Sequence, residues 1–176
     1  MSSSSSEYPP SEIREILEQV TKLLKDRKET ISVAETAAGG LISSSLLSQP
    51  GASGIYKGGL TLYTLPSRIA YAGWTQATIE AYTGPTTDIV SGLAKHVRKD
   101  LESTYTLAES GTAGPTGGST PNRTPGYVAL AVDCERGTFT RELNTELGGD
   151  RVANMLRFTV EALTLLRDVI EGKAKL

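Results

Sequence analysis

Cysteine is almost missing from this sequence: Cys134 is the only one in 176 residues. One thiol excludes an internal disulfide and a zinc site of several cysteines, and makes the cytosol the expected compartment. An excess of charge is missing as well, with 18 Lys and Arg against 20 Asp and Glu, a formal charge of -2. Such a balance offers no broad field to gather nucleic-acid phosphates or an anionic membrane, so neither is an expected partner. No uninterrupted apolar run approaches the roughly 20 residues that cross a bilayer, and the N-terminus lacks the basic start and apolar stretch of a secretory signal. The expectation is a soluble chain. The common nucleotide signatures are absent too: no G-x-G-x-x-G follows a strand in the required way, and no G-x-x-x-x-G-K-[ST] occurs.

What is present suits one domain, since the length allows a single continuous core and is short for two. Residues 1–10, five serines followed by Glu7-Tyr8-Pro9-Pro10, have too little apolar surface to offset their ordering entropy and read as a disordered tail. Residues 11–176 read as the domain. Ile13, Ile16, Leu17, Val20, Leu23 and Leu24 recur at helical spacing. A short strand, 31–34, then runs into the small-residue loop Glu35-Thr36-Ala37-Ala38-Gly39-Gly40, and a helix over 41–47 follows. A strand over 55–63 is interrupted at Gly58-Gly59, which predicts a bulge or a close backbone approach. Helices over 67–72, 75–82 and 86–101 precede a strand at 104–108. The chain next enters its longest glycine-rich loop, from Glu109 to about Gly126. A hairpin of 127–133 and 138–147 and a helix over 150–170 complete it. Strands alternating with helices, then a terminal hairpin, predict an α/β fold with a mixed, mainly parallel sheet covered by helices on both faces.

Two segments carry the candidate chemistry. Thr36 at a strand-to-helix turn can present a hydroxyl nucleophile, with the backbone amides after it stabilising an oxyanion; the plainer reading is a tight turn. Closely spaced glycines over 111–118 let backbone amides approach a phosphate or ribose. Elsewhere, His96 among Lys95, Arg98 and Lys99 reads as a solvated surface residue, and Cys134 as a packed thiol. Glu142 and Glu146 read as solvent-facing strand residues.

Taken in order, Ala34-Glu35-Thr36-Ala37-Ala38-Gly39-Gly40-Leu41-Ile42, Tyr56-Lys57-Gly58-Gly59 with Tyr63, Gly111-Thr112-Ala113-Gly114-Pro115-Thr116-Gly117-Gly118 and Gly149-Asp150-Arg151 resemble the CinA C-terminal family. Members of that family include nicotinamide-mononucleotide deamidases. The resemblance covers about residues 11–170. It implies a three-layer α/β/α domain, a homo-oligomer, and a site for a nicotinamide nucleotide at the glycine loops, without a metal or cofactor. The separate N-terminal domain of longer members is not seen here. Ligand contacts are implied for Glu35, Ala37, Ala38, Gly39, Gly40, Lys57, Gly111, Thr112, Ala113, Gly114, Gly117, Gly118 and Arg151.

The active family pattern reads A-E-S-C-T-G-G at the first loop and Y-S-N-E-A-K after the second strand, with the serine as nucleophile and the lysine as its base. Here the resemblance sets Thr36 at the serine and Arg68 at the lysine, within Tyr63-Thr64-Leu65-Pro66-Ser67-Arg68. Threonine keeps a hydroxyl, although its methyl narrows the rotamers available for attack. Arginine stays charged at ordinary pH and has no lone pair to accept a proton. Lys57 is the nearest alternative base. Arg68 and Arg151 each suit a phosphate, and Arg151 can instead pair or cap beside Asp150. Tyr63 suits either the ligand or the strand core. The expectation is a nucleotide-binding protein with reduced or lost deamidase activity; the alternative is an active deamidase that uses Thr36.

Overall fold

The computed structural model describes residues 8–176. Its elements are α1 (Ser11–Arg27), β1 (Ile31–Glu35), α2 (Leu41–Leu47), β2 (Tyr56–Thr61), α3 (Leu65–Tyr71), α4 (Gln76–Glu80), α5 (Thr87–Leu101), β3 (Tyr105–Gly111), β4 (Tyr127–Cys134), β5 (Gly137–Asn144) and α6 (Arg151–Ile170). Local chemistry starts several helices where spacing predicts them. The Thr86 hydroxyl accepts from the Ile89 amide, and the Asp150 carboxylate accepts from Ala153, each satisfying an amide that the helix leaves unpaired. Residues 1–7 of the expected tail lie outside the described residues. Pro9 is buried and Pro10 half-buried at the start of α1, and the Pro9 carbonyl accepts from Arg14 Nε at 2.7 Å.

The five strands lie in the order β2-β1-β3-β4-β5. β1 pairs parallel with β2 and β3, while β4 is antiparallel to both β3 and β5. The sheet is therefore mixed, with four strands pointing one way and β4 opposed. Alternation along the strands divides the core. Val33, Leu107, Val128, Leu130 and Val132 pack towards α1, α2 and α6. On the other face Ala34, Ala108, Ala129 and Ala131 meet Val90, Leu93 and Val97 of α5. Alanines there let α5 lie close to the sheet, and fully burying each larger aliphatic side chain contributes roughly 1.5–3 kcal/mol. Helices cover both faces, as expected.

Two strand ends depart furthest from expectation, and the bulge expected at Gly58-Gly59 falls one residue earlier. β3 continues to Gly111 because its ladder with β4 runs from Thr106–Asp133 to Gly111–Val128; Glu109, Ser110 and Gly111 are strand residues, not loop. β5 ends at Asn144, which leaves Glu146, at φ +60°, outside the sheet. In β2 the register jumps from Ile31–Tyr56 to Ser32–Gly58, so the bulged residue is Lys57, beside the glycine pair that signalled it.

From β1 the chain steps outward to β2 and then crosses back to β3 on the other side of β1. The carboxyl ends of β1 and β3 therefore flank the point where the winding reverses, and open α/β sheets bind ligands in the crevice outside such a point. Both glycine-rich loops leave from there.

Candidate functional site

The first loop turns sharply through Gly39 and Gly40, whose φ angles of +68° and +101° favour glycine. Two buried carboxylates hold it. Glu35 accepts from the Ile42 amide at 3.1 Å, the Ser43 amide at 3.0 Å and the Ser43 hydroxyl at 2.6 Å. Glu109 reaches across from β3, and its Oε2 accepts from the amides of Thr36 at 3.0 Å and Ala38 at 2.9 Å. Glu109 is fully buried and its Oε1 has no hydrogen-bond partner among the described residues. Burial pushes its carboxyl up to about 7; the Ala38 and Thr36 amides pull down against that, and the Glu35 charge pushes up further.

Thr36 is itself only 3% exposed, and its hydroxyl donates to Ser110 Oγ at 3.1 Å. Ser110 follows the alternation of Ala108, on the α5 face, whereas Glu109 follows Leu107, on the α1 and α6 face. The Thr36 hydroxyl and the Glu109 carboxylate thus lie on opposite faces of the sheet.

The second loop is fixed from α6. Asn154, fully buried, donates to the carbonyls of Ala113 at 2.9 Å and Gly148 at 2.8 Å. Arg151 donates to Gly114 O at 2.8 Å and to the Tyr63 hydroxyl at 3.2 Å, so it bridges rather than pairing with Asp150. At Gly111 any Cβ would stand 2.7 Å from the Tyr127 carbonyl oxygen and 2.8 Å from the Phe158 ring, which leaves room for glycine alone. Between the loops is a cavity of about 180 Å³ lined by Ala37, Tyr63, Gly111, Ala113, Gly114 and Arg151. A second hollow of about 320 Å³ adjoins it, lined by Thr112, Thr116, Gly117, Gly118 and Arg123. Another hollow, about 350 Å³ beside Leu147, Leu156 and Val160, shares no residue with either loop.

Ala37, Tyr63, Gly111, Thr112, Ala113, Gly114 and Arg151 are thus brought to one cavity, with Gly117 and Gly118 beside it. Tyr63 is 61% exposed and lies beyond β2, so it is not a core residue. Arg68 is held elsewhere. Its Nε donates to Leu62 O at 3.2 Å, and its guanidinium carbon lies 4.9 Å from the Trp74 ring centre and 5.1 Å from that of Tyr82. Lys57 is exposed beside Ile31 and Ser32, at the start of β1, while Thr36 follows its end. Strand rise separates the two by about 13 Å, which removes Lys57 as a base for Thr36 of the same chain and as a lining residue of this cavity.

Of the residues outside the site, His96 lies 3.3 Å from Asp100 on α5. Cys134 is buried, with the Gly137 carbonyl 3.7 Å from its sulfur. Glu142 is exposed and accepts from Tyr127. Glu109 and Ser110 were not among the expected site residues, although an acid ending the strand Y-T-L-A-E-S-G was a usable signal, since a carboxylate at a core position needs donors. Nothing pointed to Trp74 and Tyr82. Among the described residues no group of three His, Cys, Asp or Glu side chains is gathered to hold a metal, and no helix is long and apolar enough to cross a membrane.

The family described as CinA C-terminal domain matches residues 13–170. A CinA-like protein of Fervidobacterium nodosum is 34% identical over 154 residues, covering 88% of this chain and 37% of that protein. A putative competence-damage inducible protein of Alkaliphilus oremlandii is 33% identical over 150 residues, covering 85% and 36%. The chain spans little more than a third of the length of these relatives. Among solved structures, the competence/damage inducible protein CihA from Agrobacterium tumefaciens superposes with a TM-score of 0.82 at 24% identity, covering 92% of this chain and 97% of that one. A competence or damage-inducible protein from Enterobacter asburiae gives 0.81 at 23%, covering 90% and 98%.

Proposed function

The chain belongs to the CinA C-terminal domain family, and from that premise we propose that it binds a nicotinamide nucleotide while its amidohydrolase activity is reduced or lost. The observation that carries this reading is the placement of Arg68. Hydrolysis of a carboxamide by a hydroxyl needs a base within hydrogen-bond reach to take the proton as the oxygen attacks. Arg68, at the position where the family resemblance sets the base, is stacked on Trp74 and Tyr82 and tied to the Leu62 carbonyl. Among the described residues the hydrogen-bond partner of the Thr36 hydroxyl is another hydroxyl, that of Ser110.

Binding is supported by the cavities at the switch point. Arg151 and Arg123 stand at their edges as guanidinium forks for a phosphate, and the glycines of the second loop keep its backbone open to a ligand. Retention of a hydroxyl at Thr36 favours one other reading, conversion of nicotinamide mononucleotide and water to nicotinic acid mononucleotide and ammonia with Thr36 as nucleophile.

Two measurements on the purified protein decide. Nicotinamide mononucleotide should raise the melting temperature in a saturable way, as any ligand selective for the folded state does, and should release no ammonia above the level of Thr36→Ala. The variant Thr36→Ser/Arg68→Lys measures what those two side chains contribute. Ammonia release by the parent that disappears in Thr36→Ala would establish the deamidase reading instead, and absence of any thermal shift would remove the binding reading.

A further inference from the structure

The Thr36 and Ala38 amides converge on one oxygen at 3.0 and 2.9 Å, the spacing at which paired backbone donors hold an oxyanion. The oxygen belongs to the protein. Register places Ala108 beside Ala34, so Glu109 stands next to Glu35 on the adjoining strand, with its side chain on the face where the loop folds over. The positive φ angles of Gly39 and Gly40 complete a turn whose inner amides form a small anion-binding concavity. Its occupant is fully buried, and among the described residues Oε1 has no donor. A neutral acceptor would satisfy the two amides without bringing charge inside, where charge is costly.

We propose that Glu109 is an internal ligand: its carboxyl group fills the acceptor site made by the Thr36 and Ala38 amides and keeps external oxygens, charged or neutral, out of it. The inference deepens the functional reading above and rests on it for its consequence. A nucleotide seated against Ala37 and Gly111 finds these amides already engaged, so a carboxamide oxygen gaining charge during attack receives no stabilisation from them. Glu109 is in this sense a positioning residue that shapes the loop and closes its anion site.

The test is chemical replacement. Glu109→Ala removes one methylene and the carboxylate, together the size of acetate. Thermal denaturation of the whole protein at pH 8 is followed with sodium acetate, with acetamide as the neutral isostere, and with sodium chloride. Acetate at ten times its Kd should raise the melting temperature of Glu109→Ala by about 3 to 6 °C. Acetamide, which carries the same acceptor oxygen without the charge, should do so too, chloride should not, and neither the parent nor Glu109→Gln should respond to either additive. A folded Glu109→Ala indifferent to both acetate and acetamide, or a parent that responds to them as strongly, would overturn the proposal. If Glu109→Ala does not fold in plain buffer, refolding with each additive decides: recovery with acetate or acetamide but not with chloride supports the internal ligand, and recovery with none of them, or equally with chloride, overturns it. Nicotinamide mononucleotide titrated into the parent keeps the two ideas separate. A parent that ignores the nucleotide beside an alanine variant that takes acetate would remove the functional reading and leave the internal ligand standing.

Discussion

Replacing Glu109 by Gln should change how stability depends on pH, and the sign follows from where the carboxyl sits. Burial raises it from an ordinary 4.5 to about 7 in the folded protein. Between those values the folded state holds a proton that the unfolded chain has released, so stability falls as pH rises from about 4.5 and levels off above about 7. At about 1.4 kcal/mol per pH unit the loss amounts to about 3 kcal/mol. Glutamine keeps an oxygen for the Thr36 and Ala38 amides and does not titrate. Its amide nitrogen faces the unpaired position of Oε1 at every pH, which moves the intercept of its stability curve and not the slope. Urea denaturation of parent and Glu109→Gln at pH 5, 6, 7 and 8 isolates Glu109 in the difference, because all other groups cancel. The parent should lose about 2.5 kcal/mol relative to the variant across that range, a relative fall in melting temperature of about 5 to 10 °C for a chain of this size. Parallel curves would refute the reasoning, as would a parent that gains on the variant as pH rises.

Arg68→Lys should destabilise the protein by about 1–2 kcal/mol in urea denaturation, because a lysine cannot stack a planar cation on Trp74 and Tyr82 while holding the Leu62 carbonyl. An unchanged midpoint would mean that the aromatic contacts contribute little. Asn154→Ala should cost about 2–4 kcal/mol, since it leaves the carbonyls of Ala113 and Gly148 without a donor inside the protein. Hydrogen exchange over residues 111–118 should accelerate in that variant, and protection equal to the parent's would show that α6 does not fix the second loop.

Sequence pattern revealed the helices because their information is local. Apolar spacing places α1 and α5, and Thr75, Thr86 and Asp150 cap the helices that follow them. The end of β3 was hidden because it depends on a partner: Glu109-Ser110-Gly111 reads as loop by composition, and only the ladder to Leu130, Ala129 and Val128 makes it strand. The same distance in sequence concealed the bonds that hold the site. Thr36 meets Ser110 across 74 residues and Glu109 across 73. With Lys57 the error was one of scale, because six positions before Tyr63 suggests proximity whereas an extended strand carries the residue to the far end of the sheet.

Loop composition announces where a ligand can sit, and packing decides what happens there. Small residues after β1 and glycines after β3 are needed wherever two backbones approach a ligand closely, and both features survive a change of chemistry. Reactivity depends on two further conditions, a base that reaches the hydroxyl and donors left free for the oxyanion. On the proposed reading the first is opposed by Trp74 and Tyr82, on which the Arg68 guanidinium stacks in the α5-side core. The second is opposed by Glu109, which approaches from the other face. Because the two obstacles lie on different sides of the sheet and share no contact, their removal should act independently. On the proposed reading, exchanging the hydroxyl and supplying a base with Thr36→Ser/Arg68→Lys would still leave the amides occupied, and freeing the amides would still leave no base.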